Sequence, residues 1–392
     1  MSGVFVFRMK VYHYLCLMKK EIIVVLNAGS TSLKYKAFYL PSLVVADASR
    51  RQADQSRHLA VADEGQFSID TVGKERQTEE RNIFAALVSK LSLVGEISGF
   101  AHRVVHGGER FFKPVLVDKA VLLDLRKTFD LAPLHNPYNV SFILLAMKAL
   151  PKVKNVAVFD TGFYEALPDV AKIYPIPYEY FEAGVRKYGF HGISHEYIAG
   201  EAAKKLKKPL SKCSLITVHL GGGSSITAIK NGKAVDTSMG FTPLEGLTMI
   251  SRAGDIDPGV IFYLMRKYKM SAKDIEELLQ RSSGLKGISG LKDFKEILDA
   301  AAKDEHKPRL AFDMFVYRIR KYIGAYMGVL GKIDAIVFTG GIGSGRRETR
   351  EAVLSSMPIL KGVKKFAIPT NEELAMAEKA VSLLKNSPKI KE

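Results

Sequence analysis

Two glycine turns carry the first residues whose types could do chemistry. Residues 22–38 and residues 214–229 each read as an apolar β-branched run, one polar residue, a turn of glycine and serine, and an alternating run. The polar residue is Asn27 in the first copy and His219 in the second. Glycines in such a turn let backbone N–H groups point into the gap between strands, where they can hold phosphate oxygens. The cleft between the two copies is therefore the expected place for chemistry.

Charged side chains stand beside other turns of the chain. Arg103 follows an apolar strand end and precedes a Gly–Gly pair, where an arginine either forms a salt bridge at the rim or clamps an oxyanion through two N–H groups. Asp160 ends a buried strand, a common position for a Mg²⁺ ligand because this ion needs hard oxygens and keeps its waters. Asp236, Arg252 and Asp255 fall in one turn-rich passage. These residue types suit an oxyanion and a magnesium ion.

The histidines favour structural roles over a zinc site. His191 and His195 lie four residues apart, a spacing that binds zinc when a third ligand is near. No cysteine and no helical HExxH pattern accompanies them, so zinc is disfavoured. His135 lies in a proline-stiffened loop, where histidine is more often a structural hydrogen-bonding residue than a catalyst. The side chains of the first turn could likewise form only a polar hairpin tip with no role in binding. These side chains are Asn27, Ser30, Ser32 and Lys34.

The elements that must position these residues are predicted from apolar patterning. Unbroken or alternating apolar runs predict strands at 21–27, 33–40, 155–159 and 333–338. Helical spacing predicts helices at 79–93, 258–268, 272–280 and 310–330. Residues 46–75 are polar and weakly patterned, and we expect hairpin strands and an exposed loop there. The last strand runs into the sequence TGGIGSG and a helix beginning within 346–351, which suits a nucleotide phosphate or ribose, although GGxG alone is a weak signal.

Composition bounds the class of protein. The 392 residues are 47% hydrophobic and 25% charged, which indicates an ordinary soluble globular protein long enough for two domains. A formal net charge of +17 suits nucleic acid, a membrane surface or a small anionic substrate. Because the basic residues are scattered, we expect no nucleic-acid or membrane partner and favour a generally basic surface or attraction of anionic ligands.

Cysteine usage and the first residues bear on location. Cys16 and Cys213 make no disulfide framework and no metal cluster, so a reducing, cytoplasmic compartment is expected. Residues 1–20 are apolar, but Arg8 and Lys10 interrupt them, no small-residue cleavage site follows, and the run is too short to span a bilayer. We expect translation to begin at Met18 and the residues before it to be untranslated or a disordered tail.

Ten short motifs resemble those of the acetate kinase family, from about Glu21 to Leu384. They are, in order, NAGSTSLK, HRVVHGGERF, APLHNPYN, VAVFDTGF, YGFHGISHEY, VHLGGGSSITAI, DTSMGFTPLEG, GDIDPG, VFTGGIG and IPTNEEL. Their number and order argue against a chance match. The family belongs to the superfamily of sugar kinases, heat-shock chaperone ATPases and actin. No Walker A pattern GxxxxGK[ST] is present, so the sequence does not support the alternative of a P-loop kinase.

The resemblance implies an α/β protein with a duplicated actin-like ATPase (ribonuclease H-like) fold, in which two domains surround a central cleft. Residues 21–163 with 372–392 would form the N-terminal domain on the acyl and metal side, and residues 164–371 the C-terminal domain on the nucleotide side. The implied activity is reversible transfer of the γ-phosphoryl of ATP to acetate by direct in-line displacement, giving acetyl phosphate and ADP. A cytoplasmic homodimer that uses Mg²⁺ or Mn²⁺ is also implied.

The same resemblance assigns roles to individual residues. The catalytic residues would be Arg103, Asp160, His191 and Arg252, with His191 and Arg252 stabilising the transition state. The metal-site residues would be Asn27, Asp160 and Glu372. The substrate-binding residues would be Arg103, Val105, Leu134, Phe190 and Pro243. The ATP-binding residues would be Lys34, His219, Gly221, Gly222, Gly223, Asp293, Phe294, Lys295, Gly340, Gly341, Ile342 and Gly343.

Several nucleotide-side positions depart from the family pattern, whereas acyl-side and metal-side positions are kept. Gly222 stands where the family commonly has asparagine, and Ser344 and Gly345 follow GGIG where the family commonly continues with Glu and Asn. Lys295 stands where an arginine is associated with the adenine site, and lysine lacks the planar face by which arginine stacks on a base.

Three interpretations of these departures stay open. Tolerated drift is one, because most adenosine contacts would come from backbone. A changed substrate is the second, with pyrophosphate in place of ATP. The third is a non-catalytic protein that binds acyl phosphate or nucleotide. Acetate and propionate are not separated either, since one methylene in an apolar pocket is worth only about 1–3 kcal/mol.

Overall fold

The computed structural model describes residues 20–40 and 59–386. The expected translation start at Met18 and the part of the weakly patterned segment before residue 59 lie outside these described residues. The described chain divides into two compact units. The first unit includes the residues up to Phe159 and resumes at Glu373, and the second unit runs from Asp160 to Glu372.

The first unit is built on a mixed sheet. Its strands are β1 (Glu21–Ala28), β2 (Ser32–Tyr39), β3 (Ala60–Ser68), β4 (Glu96–Val104), β5 (Val115–Leu116) and β6 (Lys154–Phe159), in the order β3-β2-β1-β4-β6-β5. β1 and β2 form an antiparallel hairpin, β3 pairs antiparallel with β2, and β4 and β6 add in parallel beside β1. Residues 22–26 of β1 are all buried, so both faces of this central strand are covered.

The second unit repeats this arrangement. Its strands are β7 (Ser214–Leu220), β8 (Ser224–Lys230), β9 (Lys233–Thr237), β10 (Ala335–Thr339) and β11 (Lys364–Ala367), in the order β11-β10-β7-β8-β9. β7 and β8 form an antiparallel hairpin, β9 pairs antiparallel with β8, and β10 and β11 add in parallel beside β7. Strands β3-β2-β1-β4-β6 of the first unit therefore match β9-β8-β7-β10-β11 of the second in spatial order and direction, and the short β5 is added antiparallel to β6 at the edge of the first sheet. This shared order confirms the duplication predicted from the two glycine turns.

Helices cover these sheets. Those before Phe159 are α1 (Gly73–Val94), α2 (Lys119–Arg126) and α3 (Asn136–Ala149). Those of the second unit are α4 (Asp169–Lys172), α5 (Tyr178–Glu182), α6 (Gly192–Leu206), α7 (Pro258–Tyr268), α8 (Ala272–Arg281), α9 (Gly284–Ser289), α10 (Phe294–Ala302), α11 (His306–Leu330), α12 (Gly340–Gly343) and α13 (Arg347–Leu354). The last helix, α14 (Glu372–Asn386), belongs to the first unit from Glu373 onward.

Each unit has its own apolar core. In the first unit, α1 and α3 pack on β1 and β2 through side chains that include Phe84, Leu87 and Phe142. In the second unit, α11 packs on the central strands through residues that include Phe315 and Ile319. Within the described ranges, no helix combines the length and apolarity needed to cross a bilayer.

Most predicted elements are confirmed, with shifts at their ends. α7 has the predicted bounds, and Asp257 is its N-cap, accepting a hydrogen bond from the Gly259 N–H at 2.8 Å. α1 begins six residues before its predicted start at Glu79, because the apolar periodicity on which the prediction rests begins only at Ile83. α11 likewise starts at His306 rather than at Leu310, since its first turn is polar.

Candidate active site

Three polar residues of the first unit share one end of its sheet. Arg103, near the end of β4, donates from Nη1 to the Asn27 Oδ1 on β1 at 3.1 Å. Lys34 on β2 is exposed and stands directly opposite Asn27 in the β1–β2 pairing, so the two side chains lie on the same face. The sequence-predicted residues Asn27, Lys34 and Arg103 therefore come together, and Arg103 is oriented by the amide that precedes the glycine turn.

Two buried asparagines from the APLHNPYN segment fix the strand ends around Arg103. Asn139 accepts from the Val105 N–H at 3.2 Å and donates to the Ala28 carbonyl at 2.7 Å, thereby joining the ends of β4 and β1. Asn136 accepts from the His106 N–H at 3.1 Å and donates to the carbonyl of the same residue at 2.8 Å. Sequence reasoning singled out His135 in this segment and missed both asparagines, although an Asn-Pro pair at a helix start was a visible signal.

A buried ion pair lies behind the first glycine turn. Arg76 on α1 binds the Glu80 carboxylate at 2.8 Å and donates to the carbonyls of Ser30 at 2.5 Å and Gly29 at 3.1 Å. The Arg76 guanidinium also lies over the Tyr138 ring, 3.9 Å from its centroid. The Glu80 carboxylate accepts a second hydrogen bond from Ser141 on α3. The turn between β1 and β2 is therefore held by hydrogen bonds from the charged Arg76, and sequence reasoning missed this pair.

In the second unit, a glycine loop, a histidine and an arginine converge. Gly221, Gly222 and Gly223 link β7 to β8. A Cβ built on Gly223 would lie 3.2 Å from His191 Nε2 and 3.7 Å from Arg252 Nη1. A Cβ on Gly221 would lie 3.7 Å from His219 Nε2. Imidazole and guanidinium donors thus surround a loop that has no side chains of its own, which suits a phosphoryl group.

His191 is held in an unusual backbone conformation. Its φ of 57° and ψ of 22° place it in the left-handed region, where it acts as the N-cap of α6. Such a conformation costs a non-glycine residue about 1–2 kcal/mol and is often found at functional sites. The N–H of Gly192 donates to the Asp160 carbonyl at 2.9 Å, and a Cβ at Gly192 would collide with that oxygen. Asp160 and His191 are therefore tied together through the backbone.

Hydrogen bonds to hydroxyl groups orient the three histidines beside the glycine loop. Ser225 Oγ lies 2.9 Å from His191 Nδ1 and 2.7 Å from His195 Nε2. His219 stacks on His191 with ring centroids 4.4 Å apart, and its Nδ1 lies 2.8 Å from Ser194 Oγ. Burial, followed by repulsion from His219, lowers the pKa of His195 well below its ordinary value. The neutral His195 ring is thus a structural hydrogen-bonding group.

Arg252 lies on a loop that closes on itself. Its Nη1 donates to the Pro243 carbonyl at 3.2 Å, and its carbonyl accepts from the Met249 N–H at 3.0 Å. Asp255 closes the loop by accepting from the Gly246 N–H at 2.8 Å and from the Tyr322 hydroxyl of α11 at 2.7 Å. Burial lowers the pKa of the Arg252 guanidinium, which nevertheless keeps its charge at neutral pH because arginine starts so high.

The third glycine loop follows β10. Gly340 has a φ of 79°, and a Cβ there would collide with the Leu220 carbonyl of β7. Gly341 is exposed, whereas Ile342 and Gly343 are buried. Arg350 of α13 donates to the carbonyls of Gly343 at 2.9 Å and Ser344 at 2.8 Å. The predicted residues Gly340, Gly341, Ile342 and Gly343 thus form one short helical turn, α12, packed against the strand that carries His219.

The other predicted nucleotide residues lie at the start of α10. Asp293 is the N-cap, and its carboxylate accepts from the N–H groups of Lys295 at 2.7 Å and Glu296 at 3.1 Å. Phe294 packs in the core of the second unit, with its ring centroid 5.6 Å from that of Phe315. Lys295 is exposed and pairs with Asp299 at 2.9 Å. Contacts within the protein thus occupy all three side chains, and their role toward a nucleotide stays a prediction.

The predicted acyl-side positions are partly or fully buried. Val105 and Phe190 are buried, and Leu134 and Pro243 are half-buried. The carbonyl of Phe190 accepts from the buried Tyr164 hydroxyl at 2.8 Å, which fixes the backbone immediately before His191. Glu372 is half-buried at the first position of α14.

The residues predicted to hold a metal ion carry hard oxygen atoms. Asp160 is 1% exposed at the C-terminal end of β6. Among the residues that the structure describes, no group of three or more His, Cys, Asp or Glu residues could hold a metal ion by itself. Carboxylate oxygens from Asp160 and Glu372 and the amide oxygen of Asn27 match the chemistry of Mg²⁺, which usually takes only one or two carboxylates and completes its shell with phosphates and water.

Two units share a five-strand order, and each has a glycine turn between its first two strands; together they define the duplicated actin-like ATPase fold. The family model described as "Acetokinase family" matches residues 22–366. The chain is 46% identical to the acetate kinase of Sulfurovum sp. over 87% of each chain. The chain therefore belongs to the acetokinase family, as its motifs predicted, and is an enzyme of the kinase class.

Solved structures agree with this assignment. The acetate kinase of Porphyromonas gingivalis is 33% identical, with a TM-score of 0.79 over 93% of this chain and 100% of that one. A propionate kinase from Francisella tularensis is 34% identical, with a TM-score of 0.78 over 92% of this chain and 98% of that one. The chain is therefore about equally similar to the solved structures of an acetate kinase and of a propionate kinase.

Proposed function

We propose that this enzyme transfers the γ-phosphoryl of ATP reversibly to acetate, giving acetyl phosphate and ADP. The observation that carries the proposal is the convergence of the Gly221–Gly223 loop, His191 Nε2 and Arg252 Nη1 in the second unit. A phosphoryl group is roughly trigonal while it is transferred, and its three oxygens can accept hydrogen bonds from the loop amides, the His191 imidazole and the Arg252 guanidinium. Family membership and similarity to named acetate kinases support the choice of acetate as acceptor.

The chemistry needs positioning and charge more than proton transfer. Acetate is already ionised at neutral pH, so its oxygen attacks without a general base. The loose, in-line transition state spreads negative charge over the equatorial phosphoryl oxygens. Arg252 and His191 would neutralise and hydrogen-bond these oxygens, and Arg103 would hold the acetate carboxylate. Fixing the two reactants in line removes much of the entropic part of the barrier.

We assign the methyl group of acetate to the apolar residues Val105, Leu134, Phe190 and Pro243. The partial or full burial of each side chain supports this role, because an apolar environment favours a methyl group over a charged group. Propionate is the alternative acceptor. The discrimination expected from one methylene is about 10- to 200-fold, so a low but measurable propionate activity is expected with acetate as the better substrate.

Mg²⁺, or Mn²⁺ in its place, is the metal we propose, bound mainly through ATP and held by Asp160 and Glu372 with help from Asn27. The ion would neutralise phosphate charge and orient the transferred group. Asp160 is suited to this by its burial and by the backbone bond that ties it to the residue following His191.

Asp160→Asn is expected to raise the Mg²⁺ concentration needed for half-maximal rate by about tenfold or more, because an amide binds a hard cation more weakly than a carboxylate does. Titrating Mg²⁺ at fixed ATP and acetate measures this. Glu165→Gln serves as the matched control, because Glu165 also lies shortly after β6 but its side chain is exposed. An unchanged Mg²⁺ requirement together with a lower melting temperature would show that Asp160 is structural.

The phosphoryl donor is proposed to be ATP, bound chiefly by backbone of the three glycine loops and by Lys34 and His219. The departures from the family pattern at Gly222, Lys295, Ser344 and Gly345 would then weaken the binding of ATP equally in the ground state and the transition state. KM for ATP should therefore be raised, and kcat should be unaffected. Pyrophosphate remains the alternative donor. A steady-state panel of ATP, GTP and pyrophosphate against acetate, propionate and butyrate tests the whole proposal. Formation of no acyl phosphate with any pair would contradict it.

Two glycines on the nucleotide side give a matched pair of substitutions. A Cβ at Gly222 meets nothing within 4 Å, whereas a Cβ at Gly345 would collide with the Gly341 carbonyl. Gly222→Asn is therefore expected to change stability by less than about 0.5 kcal/mol. By adding one hydrogen bond it should lower KM for ATP about two- to tenfold. Gly345→Asn is expected to cost about 1–3 kcal/mol of stability, as overpacking does.

Chemical denaturation and ATP-dependent kinetics of the two variants check this pair. Equal stability of Gly222→Asn and Gly345→Asn would contradict the difference in space at the two loops. An ATP affinity already in the low micromolar range in the unmodified protein would contradict the proposed weakening.

We propose a homodimer that forms through α7. No residue of this helix is buried within the chain, and it exposes Phe262, Tyr263 and Tyr268, which are 56%, 52% and 62% exposed. An isolated 11-residue helix is marginal in water, so this apolar face requires a covering surface. Light scattering should give twice the mass of one chain, and Phe262→Asp should give one chain. A monomeric unmodified protein would contradict the proposal.

The domain division and the location are also proposed. Residues 21–163 with 372–392 would act on the acyl and metal side, and residues 164–371 on the nucleotide side. A cytoplasmic location is supported by the absence of a disulfide framework in the sequence, whose Cys213 is a buried free thiol. Cell fractionation followed by an activity assay tests the location.

A further inference from the structure

We propose that a buried chain of hydrogen bonds from Thr217 through His195 and Ser225 fixes the tautomer of His191, so that its neutral ring presents an N–H at Nε2. This inference rests on the proposed function, because it concerns the histidine that would contact the migrating phosphoryl. Thr217, His195 and Ser225 are positioning residues in this scheme, since none of them would touch substrate.

Three hydrogen bonds make up the chain. Thr217 Oγ1 lies 2.7 Å from His195 Nδ1, His195 Nε2 lies 2.7 Å from Ser225 Oγ, and Ser225 Oγ lies 2.9 Å from His191 Nδ1. Thr217, His195 and Ser225 are each 0% exposed, so water does not compete for these groups. Thr217 and Ser225 come from the two strands of the glycine hairpin, and His195 comes from α6.

Two arrangements of the protons let the buried Ser225 hydroxyl both donate and accept within this chain; if Ser225 accepted from both histidines, its proton would have no acceptor in the chain. In the first, the Thr217 hydroxyl donates to His195 Nδ1, His195 donates from Nε2 to Ser225, and the Ser225 hydroxyl donates to His191 Nδ1. The neutral His191 ring then carries its proton on Nε2. In the second, every donor is reversed, His191 donates from Nδ1 to Ser225, and its neutral Nε2 carries only a lone pair.

The fate of the Thr217 proton separates the two arrangements. In the second arrangement Thr217 accepts from His195, so its own proton must point elsewhere. The other acceptor recorded for this hydroxyl is the Thr227 carbonyl at 3.5 Å, which is beyond the usual range of an O–H···O bond. The first arrangement uses contacts of 2.7, 2.7 and 2.9 Å and leaves no buried proton poorly bonded. The geometry therefore favours the first arrangement.

The consequence falls on the atom that faces the glycine loop. His191 Nε2 is the atom that a Cβ on Gly223 would approach to 3.2 Å. With Nδ1 occupied as an acceptor, the neutral ring donates from Nε2 to a phosphoryl oxygen. The neutral ring can therefore donate a hydrogen bond to a phosphoryl oxygen without becoming an imidazolium. The i, i+4 spacing of His191 and His195, read from sequence as a weak zinc signal, is thus explained by their shared serine.

The first experiment reads the tautomer directly. Nitrogen-15 NMR of the full-length protein with labelled histidine, recorded at pH 7.5, distinguishes protonated from unprotonated ring nitrogens, and His191→Gln identifies the His191 signals. We expect a proton on Nε2 and none on Nδ1. A proton on His191 Nδ1 overturns the proposal. Because the spectrum is recorded on the unmodified protein, it decides the question even where a variant fails to fold.

The second experiment uses neighbouring serines. Ser225→Ala breaks the chain beside His191, whereas Ser224→Ala removes an equally buried hydroxyl that has no hydrogen-bond partner in the structure. We expect Ser225→Ala to lower kcat about 10- to 100-fold, less than outright removal of a transition-state donor, with KM values within about threefold. Ser224→Ala should keep kcat within about threefold.

The outcomes separate the two proposals. If the unmodified protein forms acetyl phosphate and Ser225→Ala retains its kcat, the hydrogen-bonded chain has no catalytic role and the inference is wrong. If the unmodified protein forms no acyl phosphate from any donor, the proposed function is wrong, and the NMR spectrum alone still tests the tautomer.

Discussion

Arg252→Ala is expected to lower kcat by about 10³- to 10⁵-fold, the range seen when an arginine is removed from a phosphoryl-transfer site. This loss corresponds to roughly 4–7 kcal/mol of transition-state stabilisation. Arg252 Nη1 is held by the Pro243 carbonyl beside the Gly223 loop that His191 also reaches. Because it would contact charge that develops only as the phosphoryl moves, kcat should fall far more than KM rises. Steady-state kinetics with saturating ATP and acetate measures both constants.

Two other variants serve as controls for this prediction. Arg309→Ala removes a 53%-exposed arginine that pairs with Asp313, and it should leave kcat within about threefold. Arg252→Lys keeps the charge but loses the planar fork, so an intermediate loss is expected. Melting temperatures close to that of the unmodified protein would show that the fold is intact. A kcat for Arg252→Ala within about threefold of the unmodified value would remove this residue from the mechanism.

Arg76→Met is expected to lower the free energy of unfolding by about 3–5 kcal/mol, the usual cost of leaving a buried charge without its partner. Arg76 is 8% exposed and Glu80 is 3% exposed, so water does not replace the lost guanidinium. The substitution also removes both hydrogen bonds to the carbonyls of Gly29 and Ser30. The first glycine turn should therefore loosen, and kcat should fall as well. Urea denaturation and steady-state kinetics report the two effects separately.

A double variant distinguishes stability from positioning. Arg76→Met with Glu80→Leu removes both charges, and such replacements are often neutral or stabilising relative to the broken pair. Stability should therefore recover, whereas kcat should stay low because no guanidinium holds the turn. Arg81→Met, on the exposed side of the same helix, is the matched control. Recovery of kcat in the double variant would show that Arg76 serves only the fold.

Sequence reasoning succeeded where the relevant physics is local. The buried strands around Val24 and Val337 appear as unbroken apolar runs because both faces of a central strand are covered. The duplicated hairpins were visible because glycine turns have few alternatives. Asp257 as an N-cap and Pro258 as the first helical residue follow from the preferences of those positions. The duplicated α/β arrangement could therefore be predicted from these patterns, whereas the family was predicted from the resemblance of ten motifs to those of acetate kinases.

The residues that orient the site could not be predicted, because their partners are distant in sequence. Asn139 and Ala28 are 111 residues apart, and Ser225 and His191 are 34 residues apart. No pattern of spacing in a single sequence reports such a pairing. Arg76 lies before the predicted helix start at Glu79 and was assigned no role, because its burial depends on Glu80 and on the first glycine turn. The resemblance of the motifs therefore predicted the candidate catalytic side chains, and the sequence did not reveal the groups that orient them.

The close approach of Gly345 to Gly341 limits which side chains the third glycine loop can accept. At Gly222 the loop can accept an asparagine side chain, since the space is open. At Gly345 the same side chain collides with backbone, so the loop must first change its path. Asparagine at position 345 is thus expected to require compensating substitutions in the same loop. Directed evolution of nucleotide affinity should therefore vary residues 341–346 together and can treat Gly222 alone.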